Sequence, residues 1–135
     1  MQKLARLMYF SRPTGAGPRS LVLDQITAHA ARRNAERDIT GVLIATADAY
    51  AQLLEGPRGA LSDLVFKIGA DDRHTDMTIV DFRPTLGRVA PSWAMTQVHL
   101  QPPHKEPAPD FATLRAFSSD QFVRFFAANM QELVA

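Results

Sequence analysis

A chain of 135 residues, 46% hydrophobic and 21% charged, is sized and composed for one folded domain, which excludes a mostly disordered chain. Its 15 basic and 14 acidic residues leave a net charge of +1, so no broad basic surface for nucleic acid is expected. Cysteine is absent, which excludes a disulfide framework, a thiolate metal site and a cysteine nucleophile; no run of about 18 apolar residues could span a membrane. The first residues pass straight into a strand-like run with no signal-peptide core, so a cytoplasmic protein is expected.

Residues 4–11 predict a first strand, with Ala5, Leu7, Tyr9 and Ser11 on one face and Arg6, Met8 and Phe10 on the other. Arg12 to Pro18 is loop chemistry, and Pro18 suits the first position of a helix running to about Ala35. The stripe of that helix, Leu23, Ile26, Ala30, Arg33 and Asn34, begins apolar and ends polar. Residues 38–46 predict a second strand and 49–55 a third, antiparallel to it across Ala47-Asp48. Gly56-Pro57 opens a second helix to about Gly69, striped by Leu61, Leu64, Val65 and Ile68. A polar loop over 70–76 follows, then strands over 77–83 and 93–100.

The order β-α-β-β-α-β with one extra strand predicts an α+β fold of ferredoxin-like type, with two helices on one face of a mixed five-stranded sheet. Residues 1–100 form the main domain, and 101–109, with four prolines, a linker. Residues 110–135 form a helical cap, in which Ser118 and Gln121 fit a capping box. The apolar stripe Phe122, Phe125, Phe126, Met130 and Leu133 suits the sheet face left bare by the first two helices. It would cover that face in its own chain or in a second copy, and a homo-oligomer is expected.

Familiar catalytic patterns are missing. There is no GxxxxGK[ST], GxGxxG or HExxH, and His29, His74, His99 and His104 lack metal-ligand spacing. Asp71, Asp72 and Asp76 near His74 read as a solvated acidic loop rather than a metal site. The positive signal is polar residues on faces that should be apolar. Asn34 continues the inner stripe of the first helix, Gln52 lies between Tyr50 and Leu54 on one strand face, and Tyr9 shares the helix-facing side of the first strand. A buried amide must satisfy its hydrogen bonds, so these groups suit a planar ligand rich in donors and acceptors. Taken singly, each has an ordinary explanation as a cap, an edge residue or a core tyrosine.

Together with their neighbours, these residues resemble the BLUF family of blue-light sensors that use flavin. The matching stretches are Leu7-Met-Tyr-Phe-Ser-Arg12; Arg33-Asn34 ahead of Ile39-Thr-Gly-Val-Leu43; Gln52-Leu-Leu-Glu-Gly-Pro57; Asp72-Arg-His74; and Ser92-Trp-Ala-Met95. They stand in order and at compatible spacing from Leu4 to about Val98. Ala45, the Ala47-Asp48 turn and Tyr50 depart from the family's habits, at positions of packing and turn geometry.

The resemblance implies FAD held between the two helices, with FMN or riboflavin left open. It implies that Asn34 bonds the carbonyl and imide edge of the ring, and that Gln52 bridges the ring to the Tyr9 hydroxyl. Tyr9 is then the photochemical electron and proton donor, and the hydrogen bonding of Gln52 is what light rearranges. Arg33, Asp71, Arg73 and His74 are candidates for the ribityl and phosphate side, and Trp93 and Met95 for passing the signal outward. On this reading the chain is a sensor and not an enzyme. About 35 residues beyond the flavin module are too few for a fused enzymatic domain, so output is expected through a separate protein or oligomer rearrangement. The alternative is a ferredoxin-like small-ligand or RNA-binding module without photochemistry. The near-neutral charge and the lack of an exposed aromatic run weigh against an RNA reader. A small hydrolase of this architecture lacks a nucleophile–base pair.

Overall fold

The first strand is buried through Leu7 to Ser11, and the next two strands are buried almost throughout. That pattern requires a sheet whose middle is covered on both sides. The structure, a computed structural model, describes residues 3–15, 19–90, 96–99 and 109–134. Its elements are β1 (Leu4–Pro13), α1 (Arg19–Glu36), β2 (Thr40–Ala45), β3 (Tyr50–Pro57), α2 (Arg58–Gly69), β4 (His74–Pro84), β5 (Thr96–His99), α3 (Phe111–Arg115) and α4 (Ser119–Val134). β4, β1, β3 and β2 lie side by side as an antiparallel sheet, and the short β5 runs parallel to β2.

The two faces bury different sets of residues. On the front, Leu7, Leu43 and Leu54 pack with Ala30 of α1 and Leu61, Leu64 and Ile68 of α2. On the back, Met8, Phe10, Val42, Ile44 and Leu53 pack with Phe111 and Leu114 of α3 and Phe122, Phe126 and Met130 of α4. The C-terminal helices therefore cover the sheet of their own chain. With Phe122 and Phe126 fully buried there, self-association does not follow from an uncovered aromatic stripe.

Local chemistry explains the element ends. The Asp110 carboxylate accepts from the Thr113 N–H at 2.8 Å and caps α3. Ser118 and Gln121 form the reciprocal box that starts α4, with the Ser118 N–H donating to Gln121 Oε1 at 2.7 Å and the Gln121 N–H donating to Ser118 Oγ at 3.1 Å. Gly56 is required by close approach: a Cβ there would lie 2.9 Å from the Asp38 carbonyl oxygen.

Some boundaries differ from the sequence expectation. β1 runs on to Pro13 and β4 starts at His74 instead of 77, because the two pair as far as Pro13 with His74. Register shifts between Met8 and Tyr9 and between Phe10 and Arg12 absorb the mismatch. Asp38 is outside β2, turning with φ 58° after α1. Pro18, Pro91 to Met95 and residues 101–108 lie outside the described residues, and with them Trp93 and Met95.

Candidate functional site

Tyr9 of β1 and Gln52 of β3 are direct cross-strand partners. Strand alternation turns both side chains to the front face, where Tyr9 is 5% and Gln52 3% exposed. The Tyr9 hydroxyl donates to Gln52 Oε1 in a short bond. Burial pushes the Tyr9 phenol well above its ordinary value of 10; the Arg33 charge opposes that rise, and Asp71 and Tyr50 add to it. The phenol is thus a protonated donor at neutral pH, held on an amide that carries both acceptor and donor atoms.

A cleft between α1 and α2 opens onto this pair. Ile26, Ala30 and Arg33 line it from α1, and Tyr50, Ile68 and His74 from the sheet and α2 side. Burial lowers the Arg33 pKa, while the nearby Tyr9 raises it. Arg33 Nε is buried with no hydrogen-bond partner among the described residues. A buried N–H of that kind calls for an acceptor, and a ligand in the cleft could supply one. Asn34 is fully buried beside it at the end of α1. Its backbone carbonyl accepts from the N–H groups of Arg37 (3.1 Å) and Ile39 (2.9 Å), closing the helix.

The far wall is pinned by side chains. His74 Nε2 lies 2.6 Å from the Ile68 carbonyl, which can only accept, so Nε2 carries a proton. His74 Nδ1 lies 2.8 Å from Ser11 Oγ, which ties β4 to β1. The His74 and Tyr9 ring centroids are 6.1 Å apart. Arg73 grips Asp71 with Nε at 2.9 Å from Oδ1 and a terminal nitrogen at 2.5 Å from Oδ2. Those bonds hold the Asp71 carboxyl down at about 2, against the smaller effect of burial, and raise Arg73 in return.

Tyr9, Gln52, Arg33, Asp71, Arg73 and His74 all line this one cleft, and Asn34 adjoins it without being part of the lining. His29 and Lys67 also line it and were missed by sequence reading. The spacing of His29 four residues before Arg33 could have found the first; Lys67 carries no signal outside its helix. The donor set fits a flavin: amides match the alternating donors and acceptors of its ring edge, and Arg33 offers an unmet N–H. Among the described residues, no group of three His, Asp or Glu is placed to hold a metal ion, and no helix is long and apolar enough to cross a membrane.

Comparison with known proteins shows the family. The family model of sensors of blue-light using FAD matches residues 4–96. The photoactivated adenylate cyclase subunit beta of Euglena gracilis is 36% identical over 93% of the chain, and that of Euglena longa 34%. The chain spans only 16% of the length of either cyclase subunit. Among solved structures, the dark state of BlrB, a BLUF protein, superposes with a TM-score of 0.71 at 30% identity, covering 95% of this chain and 98% of that one. The photo-activated state of BlsA gives 0.69 at 28% identity, covering 72% and 70%.

Proposed function

Because the chain belongs to the family of blue-light sensors that use FAD, we propose that it is a blue-light photoreceptor whose switch is the hydrogen bond between Tyr9 and Gln52. The observation that carries this reading is that bond, buried at the floor of a cleft whose polar groups suit a flavin edge. A bound flavin supplies the absorption of blue light and an electron acceptor. With flavin bound, Tyr9 would give up an electron and, along this bond, its proton to the Gln52 amide, and both would return to Tyr9, leaving Gln52 with rearranged hydrogen bonds that relax in the dark. Gln52 changes which groups it donates to and accepts from, and that change is the signal. Asn34 holds the ring edge, and Arg33, Asp71, Arg73 and His74 hold the ribityl and phosphate side. FAD is the flavin proposed, with FMN or riboflavin the substitutes.

The strand order β4-β1-β3-β2 supports a ferredoxin-like core for residues 1–100. The back-face cluster supports 110–135 as a cap on it. Trp93 and Met95 are proposed to relay the signal. Gln52 pairs with Leu43 of β2, and Leu43 pairs in turn with Gln97 of β5, so a shift at Gln52 has a two-strand path to the segment they precede. Output passes to a separate protein or through rearrangement of a homo-oligomer. The test is direct. Purified protein is yellow, releases FAD on denaturation, and shows a reversible red shift of its flavin absorption under blue light. A colourless protein that takes up no added flavin contradicts the proposal.

A further inference from the structure

Three residues from Tyr9 along β1, and three from Gln52 along β3, stands a second cross-strand pair. Arg6 and Glu55 are register partners in the same two strands, and the odd spacing turns them to the opposite face. Glu55 is fully buried, and the Arg6 Nε–H donates to its Oε2 at 2.9 Å. A carboxylate in such a place must be satisfied by more than one partner. Here the Val89 N–H donates to both oxygens, at 2.8 and 2.9 Å, and the Ala90 N–H donates to Oε1 at 2.8 Å.

Neighbouring contacts fasten the same piece of chain. Arg6 also reaches the Gly87 carbonyl at 3.4 Å. One terminal nitrogen of Arg88 donates to Thr40 Oγ1 and the Glu55 carbonyl, and the other to the Asp38 carbonyl. Within residues 87–90, the backbone N–H groups of Val89 and Ala90 are held by the Glu55 carboxylate, while Gly87 and Arg88 are held by the other contacts. The next residues in sequence, 91–95, include Trp93 and Met95.

We propose that Glu55 is a positioning residue for signal output: it fastens the chain at Val89 and Ala90 to the strand pair that carries Tyr9 and Gln52, so that a change in the front pair alters this hold. The inference rests on the light-switch reading. β1 and β3 carry both pairs, so a small slide or twist between the strands at Tyr9–Gln52 is felt one turn of the ladder away at Arg6–Glu55. A close-packed sheet transmits such a shift rather than absorbing it. The carboxylate shares its two oxygens among three N–H donors, so its geometry has little slack. Loosening it frees two backbone N–H groups at once.

The test is amide hydrogen exchange at Val89 and Ala90 in the full flavin-loaded chain, in the dark and under blue light, with the absorption shift recorded on the same samples. In the parent, light should speed exchange at both amides about tenfold, the size expected for losing one charge-assisted hydrogen bond. In Glu55→Gln, one carboxylate oxygen becomes an amide NH2 group, which donates and cannot accept. Dark exchange should then already be about tenfold faster, and light should add less than about twofold, while the absorption shift stays as large as in the parent. A merely structural role would speed exchange equally in dark and light and leave their ratio unchanged. Arg6→Gln, which keeps a donor but not the charge, should at least halve the light effect and serves if Glu55→Gln does not fold. Light-independent exchange at Val89 and Ala90 in a parent that shifts colour overturns the proposal, as does an unchanged light-to-dark ratio in either variant. A parent that shows no colour shift instead overturns the light-switch reading on which it stands.

Discussion

On the back of the sheet, Phe10, Phe111, Phe122 and Phe126 pack ring against ring, with centroids 5.1 to 6.1 Å apart. On the front, across the same strands, a phenol, an amide and a half-buried guanidinium share a cleft between two helices. The back is filled by chain from the far end of the sequence, so its stability comes from apolar area and shape. The front spends part of its core on polar groups that must find hydrogen-bond partners. Strand alternation lets one strand serve both: β1 offers Leu7 and Tyr9 to the front and Met8 and Phe10 to the back. The aromatic back supports the strand pair by packing, and the polar front holds the small hydrogen-bond rearrangement.

Breaking the back should cost the most. Phe122 is fully buried and touches the rings of Phe10, Phe117, Phe125 and Phe126. Phe122→Ala should lower unfolding stability by about 3–5 kcal/mol, read from the urea midpoint at unchanged m-value. Breaking the front should cost less fold and more function. Tyr9→Phe strips the phenol donor from the buried Gln52 oxygen and should cost about 1–2 kcal/mol in the same titration, with flavin retained.

Two smaller effects sharpen the contrast. Ser118→Ala removes the cap of α4, a device of the back layer only, and should lower stability by about 1 kcal/mol without altering flavin affinity measured by fluorescence titration. On the front, Asp71 titrates near 2 in the folded chain against 3.8 unconstrained. A depressed carboxyl stabilises the fold above its unconstrained value, and that contribution is lost as pH falls from about 4 to about 2. The pair with Arg73 is partly exposed, so screening keeps its worth below about 1 kcal/mol. Asp71→Asn should flatten that part of the acid stability curve, and added salt should shrink the difference between the two proteins.

Period-2 alternation puts Tyr9 and Gln52 each on a strand face shared with apolar residues, and the resemblance to the BLUF family makes them a pair. Asn34 was legible from helical spacing, and the capping box from Ser118 and Gln121 alone. Glu55 was not, since a glutamate in a strand reads as a solvent-facing residue until the register sets it against Arg6. The start of β4 was not legible either. His74 to Asp76 are polar, and only pairing with the end of β1 makes that stretch a strand. Local pattern with the family resemblance therefore carries the front pair, while the buried charge on the back depends on strands brought together by the whole fold.

The most direct measurement is the light-minus-dark absorption spectrum of the flavin-loaded parent beside Tyr9→Phe and Gln52→Ala. The Tyr9–Gln52 switch predicts a reversible red shift in the parent and its loss in both variants, each still yellow and folded. A normal red shift in either variant would contradict it.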